Sequence, residues 1–165
     1  RLRERGLQEA MGAPVICRWR SADPQLDLDV MPTDPDIIGF SNPWYDEAIS
    51  SAVTVTLESG AEIRAAAPPA LVATKLCAWK GRGDGDLLPS LDIHDVLTLI
   101  DGRSELIEEV ASAAPDLHTY IRDELSELRT EGYFDYAVQS ATASHGPAGA
   151  GRARLVQARV DELLA

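Results

Sequence analysis

The segments of this chain that alternate apolar and polar residues all lie before Ala66, and from Pro68 onward the chain turns to helix formers. That order constrains the architecture most. A wound parallel sheet needs strands and helices taken in turn along the chain, whereas strands followed by helices give an α+β protein. Pro14–Arg20 (PVICRWR) and Leu26–Met31 (LDLDVM) each read as a strand, and the SADPQ turn between them makes a hairpin. Val53–Ala65 (VTVTLESGAEIRA) reads as a second hairpin turning at Ser59–Gly60, rich in β-branched residues.

The helical readings rest on caps. The opening RLRERGLQEAMG resembles the last turns of an amphipathic helix ending near Gly12, so the chain is expected to begin inside a helix and to be truncated at its N-terminus. Asn42 followed by Pro43 predicts a short helix to about Ala52. A helix is expected over Pro68–Lys80, and another from a Ser90 cap through Ile100 to a stop at Gly102. Further helical pieces are expected near 104–113, 116–129 and 131–140. Residues 141–151, small and glycine-rich, read as a flexible linker before a C-terminal helix at 152–165.

Charge narrows the partners. At 165 residues the net charge is −12, which disfavours DNA and membrane surfaces but permits a local basic patch that holds phosphate. Two cysteines, Cys17 and Cys77, are too few for a disulfide scaffold and suit a reducing cytoplasm. No apolar run approaches the roughly 20 residues of a membrane helix.

Few residues offer chemistry. Asp27 and Asp29 share one face of a strand, an arrangement that either presents carboxylates to a divalent cation or makes a wet sheet face. Lys75, Trp79 and Arg82 lie along one line of a helix. Lys75 and Arg82 there can grip nucleotide phosphates, or Lys75 can snorkel with Trp79 on its stem. Asp92 and Asp95 occupy the first turns of the next helix, where they suit its dipole or pair with Lys75. DGDLLPSLDIHD fails as a calcium loop, because Leu88 and Pro89 take the places of a ligand and the required glycine. GRGDG lacks the lysine and spacing of a P-loop. His94, His118 and His145 have no zinc spacing with the cysteines, and no nucleophile elbow is present.

The blocks DVMPTD, GFSNPWY, ATK and LDIHD, in this order between Ile16 and Arg103, resemble bacterial nucleotidyltransferase-like proteins related to the AbiEii/AbiGii toxins of abortive-infection and toxin–antitoxin systems. The resemblance implies a polymerase-β-type nucleotidyltransferase fold with a mixed or antiparallel sheet, incomplete here, and a C-terminal helical part. Residues 1–66 would be the remainder of the sheet domain and 67–140 a helical part completing the nucleotide cleft. It assigns Asp29 as a catalytic, metal-binding carboxylate, Asp92 and Asp95 as catalytic acids, and Lys75 and Arg82 as nucleotide-binding residues. It implies an NTP substrate with Mg2+, an RNA (such as a tRNA end) or protein hydroxyl as acceptor, and an antitoxin as possible partner. The Gly-Gly turn and first Asp-x-Asp of such families are not in this sequence, so the chain alone is expected to bind metal weakly and transfer nothing. The alternative is a noncatalytic module that binds nucleotide or a partner. A missing strand would leave the sheet edge at Leu26–Met31 unpaired and prone to self-association.

Overall fold

Gly6, with φ at 79°, ends a 3-10 turn over Arg3–Arg5, and the chain leaves it as a strand rather than continuing as a helix. The computed structural model describes residues 1–13, 17–21, 26–82, 87 and 90–165, the side chains of Ile38, Arg82, His145 and Pro147 excepted. Over these residues the chain is α+β with antiparallel sheets. It forms two compact units, Arg1–Ser41 and Asn42–Ala165; the boundary at residue 66 expected from sequence falls inside the second.

In the first unit β1 (Leu7–Glu9), β2 (Arg18–Ser21) and β3 (Asp27–Asp29) form a three-stranded sheet in that order. The expected opening helix is therefore corrected: Leu7 buries its side chain from a strand paired to β2, Leu7 opposite Ser21 and Glu9 opposite Trp19. The left-handed glycines Gly6 and Gly12 bracket it, at φ values that disfavour helix for other residues. β2 and β3 pair antiparallel as expected, Arg18 opposite Asp29 and Arg20 opposite Asp27, with β3 shorter than the expected Leu26–Met31. Residues 14–16 of the first expected strand and 22–25 of the expected SADPQ turn lie outside the described residues. A single helical turn, α1 (Pro35–Ile38), follows; the Asp34 side chain accepts from the Asp36 N–H, and Pro35 opens the turn.

In the second unit α2 (Tyr45–Ser50) precedes a hairpin of β4 (Val53–Thr56) and β5 (Glu62–Ala65), turning through Gly60 at φ 79°. The helices α3 (Pro68–Arg82), α4 (Leu91–Gly102), α5 (Leu106–Ala111), α6 (Pro115–Thr130), α7 (Phe134–Thr142) and α8 (Gly149–Leu164) then pack on one another. Ser90 caps α4 as expected, accepting from the Ile93 N–H at 3.3 Å. Ile93, Val96, Leu97 and Ile100 recur at helical spacing and are all buried. They meet Leu76 of α3, Leu125 and Leu128 of α6, Phe134 of α7 and Val156 and Val160 of α8 in one core. Truncating any of these leucines to alanine typically costs about 2–5 kcal/mol.

Residues 141–151, read from sequence as a linker, instead finish α7, make a 3-10 turn over Ala143–Ala148 and begin α8. Small residues permit close packing here: a Cβ on Gly149 would lie 3.0 Å from the Thr142 carbonyl oxygen. Two arginines of α8 finish the C-terminal end of α4. Arg152 donates to the Asp101 carbonyl at 2.9 Å and pairs with its carboxylate, and Arg159 donates to the carbonyls of Ile100 and Asp101 at 2.7 and 2.6 Å. Among the described residues no helix is long and apolar enough to cross a membrane.

Candidate functional site

Lys75 extends from α3 toward the first turns of α4, where Asp92 and Asp95 lie one turn apart on the same helical face. Its Nζ is 2.6 Å from the Asp95 carboxylate and 3.2 Å from that of Asp92. The lysine is half-buried, Asp92 is the more covered acid and Asp95 is exposed. Burial works to depress the Lys75 ammonium, but hydrogen bonds to Asp95 and Asp92 outweigh it and hold it above its ordinary value. Lys75 is therefore a fixed cation at neutral pH and no general base. A phosphate reaching it must compete with two carboxylates that already outnumber it in charge.

Asn42 ties a third sequence block to this place. Its side-chain amide donates to the Thr74 carbonyl at 2.8 Å, and its Oδ1 accepts from the Trp44 N–H at 3.0 Å. The residue is buried, so both bonds matter: an unsatisfied amide there would cost about 1–3 kcal/mol. α2 begins at Tyr45 with Trp44 at its N-cap, later than the expected start, yet the Asn42 oxygen accepts from the Trp44 N–H in the manner of a capping side chain. Arg82 ends α3, and its side chain and the loop at 83–86 lie outside the described residues.

Asp29 belongs to the first unit and is already engaged. Arg18 on the neighbouring strand donates to both its oxygens, Nε to Oδ1 at 2.7 Å and Nη2 to Oδ2 at 2.8 Å. Arg20 grips Asp27 in the same fork, at 2.7 and 3.0 Å. Each arginine directly faces its aspartate across the strand pair, so the four side chains form one ladder on one sheet face. The Arg18 guanidinium holds the Asp29 carboxyl below its usual range, and Arg20 does the same to Asp27. A magnesium ion needs several oxygen ligands in a near-octahedral shell. Both oxygens of each carboxylate are occupied by a guanidinium, and among the described residues no group of three or more His, Cys, Asp or Glu is placed to hold a metal. In this arrangement the described residues do not fit a magnesium centre.

Neither Cys77, on the Lys75 helix, nor Tyr120 is an activated nucleophile. Burial pushes the Cys77 thiol up despite its hydrogen bond with Tyr120. Burial, and then the charges of Glu124 and Cys77, push the Tyr120 hydroxyl well up, and its ring packs 4.9 Å from that of Trp44. Lys80 closes the neighbourhood with ion pairs to Glu124 at 2.8 Å and Glu127 at 2.7 Å. A shallow groove of about 590 Å3 in the first unit runs past Met11, Cys17, Trp19, Val30, Pro32 and Ile37. Its walls are chiefly apolar.

The structure thus brings Lys75, Asp92 and Asp95 together in the second unit and adds Asn42, while Asp29 sits among arginines in the first. The sequence reading missed Arg18 and Arg20, although a signal exists. Arg-x-Arg in β2 and Asp-x-Asp in β3 carry opposite charges at the same two-residue spacing, on paired strands close in sequence. Comparison with protein families, with characterised proteins and with solved structures returns no match.

Proposed function

We propose that the chain is a nucleotidyltransferase-like protein whose α3–α4 pair is the nucleotide-facing part, with Lys75 as the phosphate-binding cation. One observation carries this reading. The three blocks GFSNPWY, ATK and LDIHD, far apart in sequence, are joined by direct bonds: Asn42 to Thr74, and Lys75 to Asp95 and Asp92. Lys75, Asp92 and Asp95, which the resemblance assigns to one site, meet where the middle of α3 faces the first turns of α4. On this reading Asp92 and Asp95 hold the lysine extended and protonated, and incoming phosphate oxygens take their place. Transfer to an RNA or protein hydroxyl would be the activity of a protein that supplies further carboxylates. The described residues bind nucleotide without providing a metal centre.

A second reading, a noncatalytic module holding a nucleotide or a partner such as an antitoxin, is favoured by the Arg18–Asp29 fork, which closes the one assigned metal ligand.

The test is a calorimetric titration of each NTP, with and without Mg2+, into wild type and Lys75→Ala, beside an assay for label transfer from each α-labelled NTP. Weak NTP binding that is lost in Lys75→Ala and insensitive to Mg2+ is expected, with no transfer. If Lys75→Ala binds NTP as well as wild type, the lysine is a clasp between helices and the nucleotide assignment fails. If NTP binding is absent altogether, the partner-binding module is left.

A further inference from the structure

The β4–β5 hairpin leaves its outer strand open. Val53 faces Ala65, Thr54 faces Arg64, Val55 faces Ile63 and Thr56 faces Glu62, and among the described residues no third strand joins this sheet. A lone two-stranded hairpin is marginal in water, and an open edge is a template for another strand.

The direction of the backbone bonds follows from the turn. Leu57 N–H donates to the Ala61 carbonyl at 2.8 Å, so Leu57 and Ala61 turn their polar groups toward each other. Alternation along an antiparallel pair then points the groups of Ile63 and Ala65 inward to β4 and those of Glu62 and Arg64 outward. Two consecutive outward-facing residues thus carry opposite charges, with exposed Ile63 between them. Neither Glu62 nor Arg64 has an ion-pair partner among the described residues.

The geometry points to a second copy of this chain as the occupant of that edge, paired antiparallel with β5 about a twofold axis through Ile63. In a twofold interface each residue meets its complement and the complement meets it in return. With the axis at Ile63, Glu62 lies opposite Arg64 of the other copy, and Arg64 opposite its Glu62. Their outward N–H and C=O groups meet in register, and both charged pairs fall on one sheet face. Ile63 meets its own copy on the other face, beside Val53 and Val55, so the apolar faces of two hairpins join in a four-stranded sheet.

Two other edges fit less well. The same twofold at Leu28 of β3 would set Asp27 against Asp29, like charge on like charge. β4 offers only Thr54 and Thr56 on its outward positions. The self-association expected from sequence at Leu26–Met31 is thereby assigned to β5.

Sedimentation equilibrium over a range of concentrations tests the pairing on the intact chain. Wild type is expected to dimerise. Glu62→Arg sets two like-charged pairs across the axis and is expected to weaken the dimer about tenfold or more. Arg64→Glu reaches the same result from the opposite sign and serves if the first variant fails to fold by circular dichroism. The double variant Glu62→Arg with Arg64→Glu is expected to restore dimerisation. A wild type that stays monomeric overturns the proposal. So does a dimer indifferent to either single reversal, or a folded double variant that fails to recover.

Discussion

Asn42 donates to the carbonyl of Thr74 across 32 residues, at 2.8 Å, and so fixes the loop before α2 to the turn of α3 that carries Lys75. Both ends of the asparagine amide are used, one as donor and one as acceptor. That pattern discriminates sharply between similar side chains.

Asn42→Asp keeps the acceptor for the Trp44 N–H but loses the donor and sets a carboxylate against a carbonyl oxygen. It is expected to destabilise at least as much as Asn42→Ala, about 1–3 kcal/mol. Urea unfolding of both variants measures this. An Asn42→Asp protein as stable as wild type would show that the Thr74 bond contributes nothing.

Lys75 gives a pH signature. Its ammonium is held above the ordinary 10.5 in the folded state. A raised cation stabilises fully below its unfolded value, and the contribution is lost as pH rises through the folded one. The stability difference between wild type and Lys75→Met is therefore expected to be constant through neutrality and to shrink above about pH 10.5. Because lysine and Asp95 are both partly exposed, the double-mutant coupling of Lys75 with Asp95 is expected to be modest, below about 1 kcal/mol. Urea midpoints across alkaline pH provide the check, and a difference that grows with pH would reverse the assignment.

The Arg18–Asp29 and Arg20–Asp27 forks act at the acid end. Both carboxyls titrate below the ordinary 3.8. Depressed acids stabilise above their unfolded value, so this contribution is present at neutral pH and is lost as pH falls from about 3.8 through the lower folded values. Carboxyl carbon shifts followed by NMR are expected to give both values below the usual range, rising toward it with added salt as screening weakens the pairs. Magnesium is expected to leave both shifts unmoved at neutral pH. Selective magnesium-induced shifts of Asp29 would mean that the fork opens to a metal.

Much of the architecture was readable because its signals are local. The Ser90 cap, the proline start of α3, the glycine turn at residue 60 and the helical spacing of Ile93, Val96, Leu97 and Ile100 each act within a few residues. β1 was not readable. Three residues, Leu7–Glu9, become a strand only because β2 lies beside them, and their surrounding charges imitate a helix end. The run at 141–151 misled for a related reason, since the same small residues serve a linker or a tight helical junction. Of the site, Lys75 with Asp92 and Asp95 was legible as one of two alternatives, an ion cluster between helices. The forks on Asp27 and Asp29 needed strand register, which no single-strand pattern supplies.

The arginines of α8 bear on how the second unit comes to be built. The last carbonyls of α4 find their donors on Arg152 and Arg159, 51 to 59 residues downstream. Bringing such distant groups together carries a loop-closure cost that grows slowly with length, and it must be met before the contact stabilises anything. During synthesis the carbonyls of Ile100 and Asp101 therefore have no arginine donor until α8 has been made. The end of α4 is thus finished by side chains that the chain supplies only with α8.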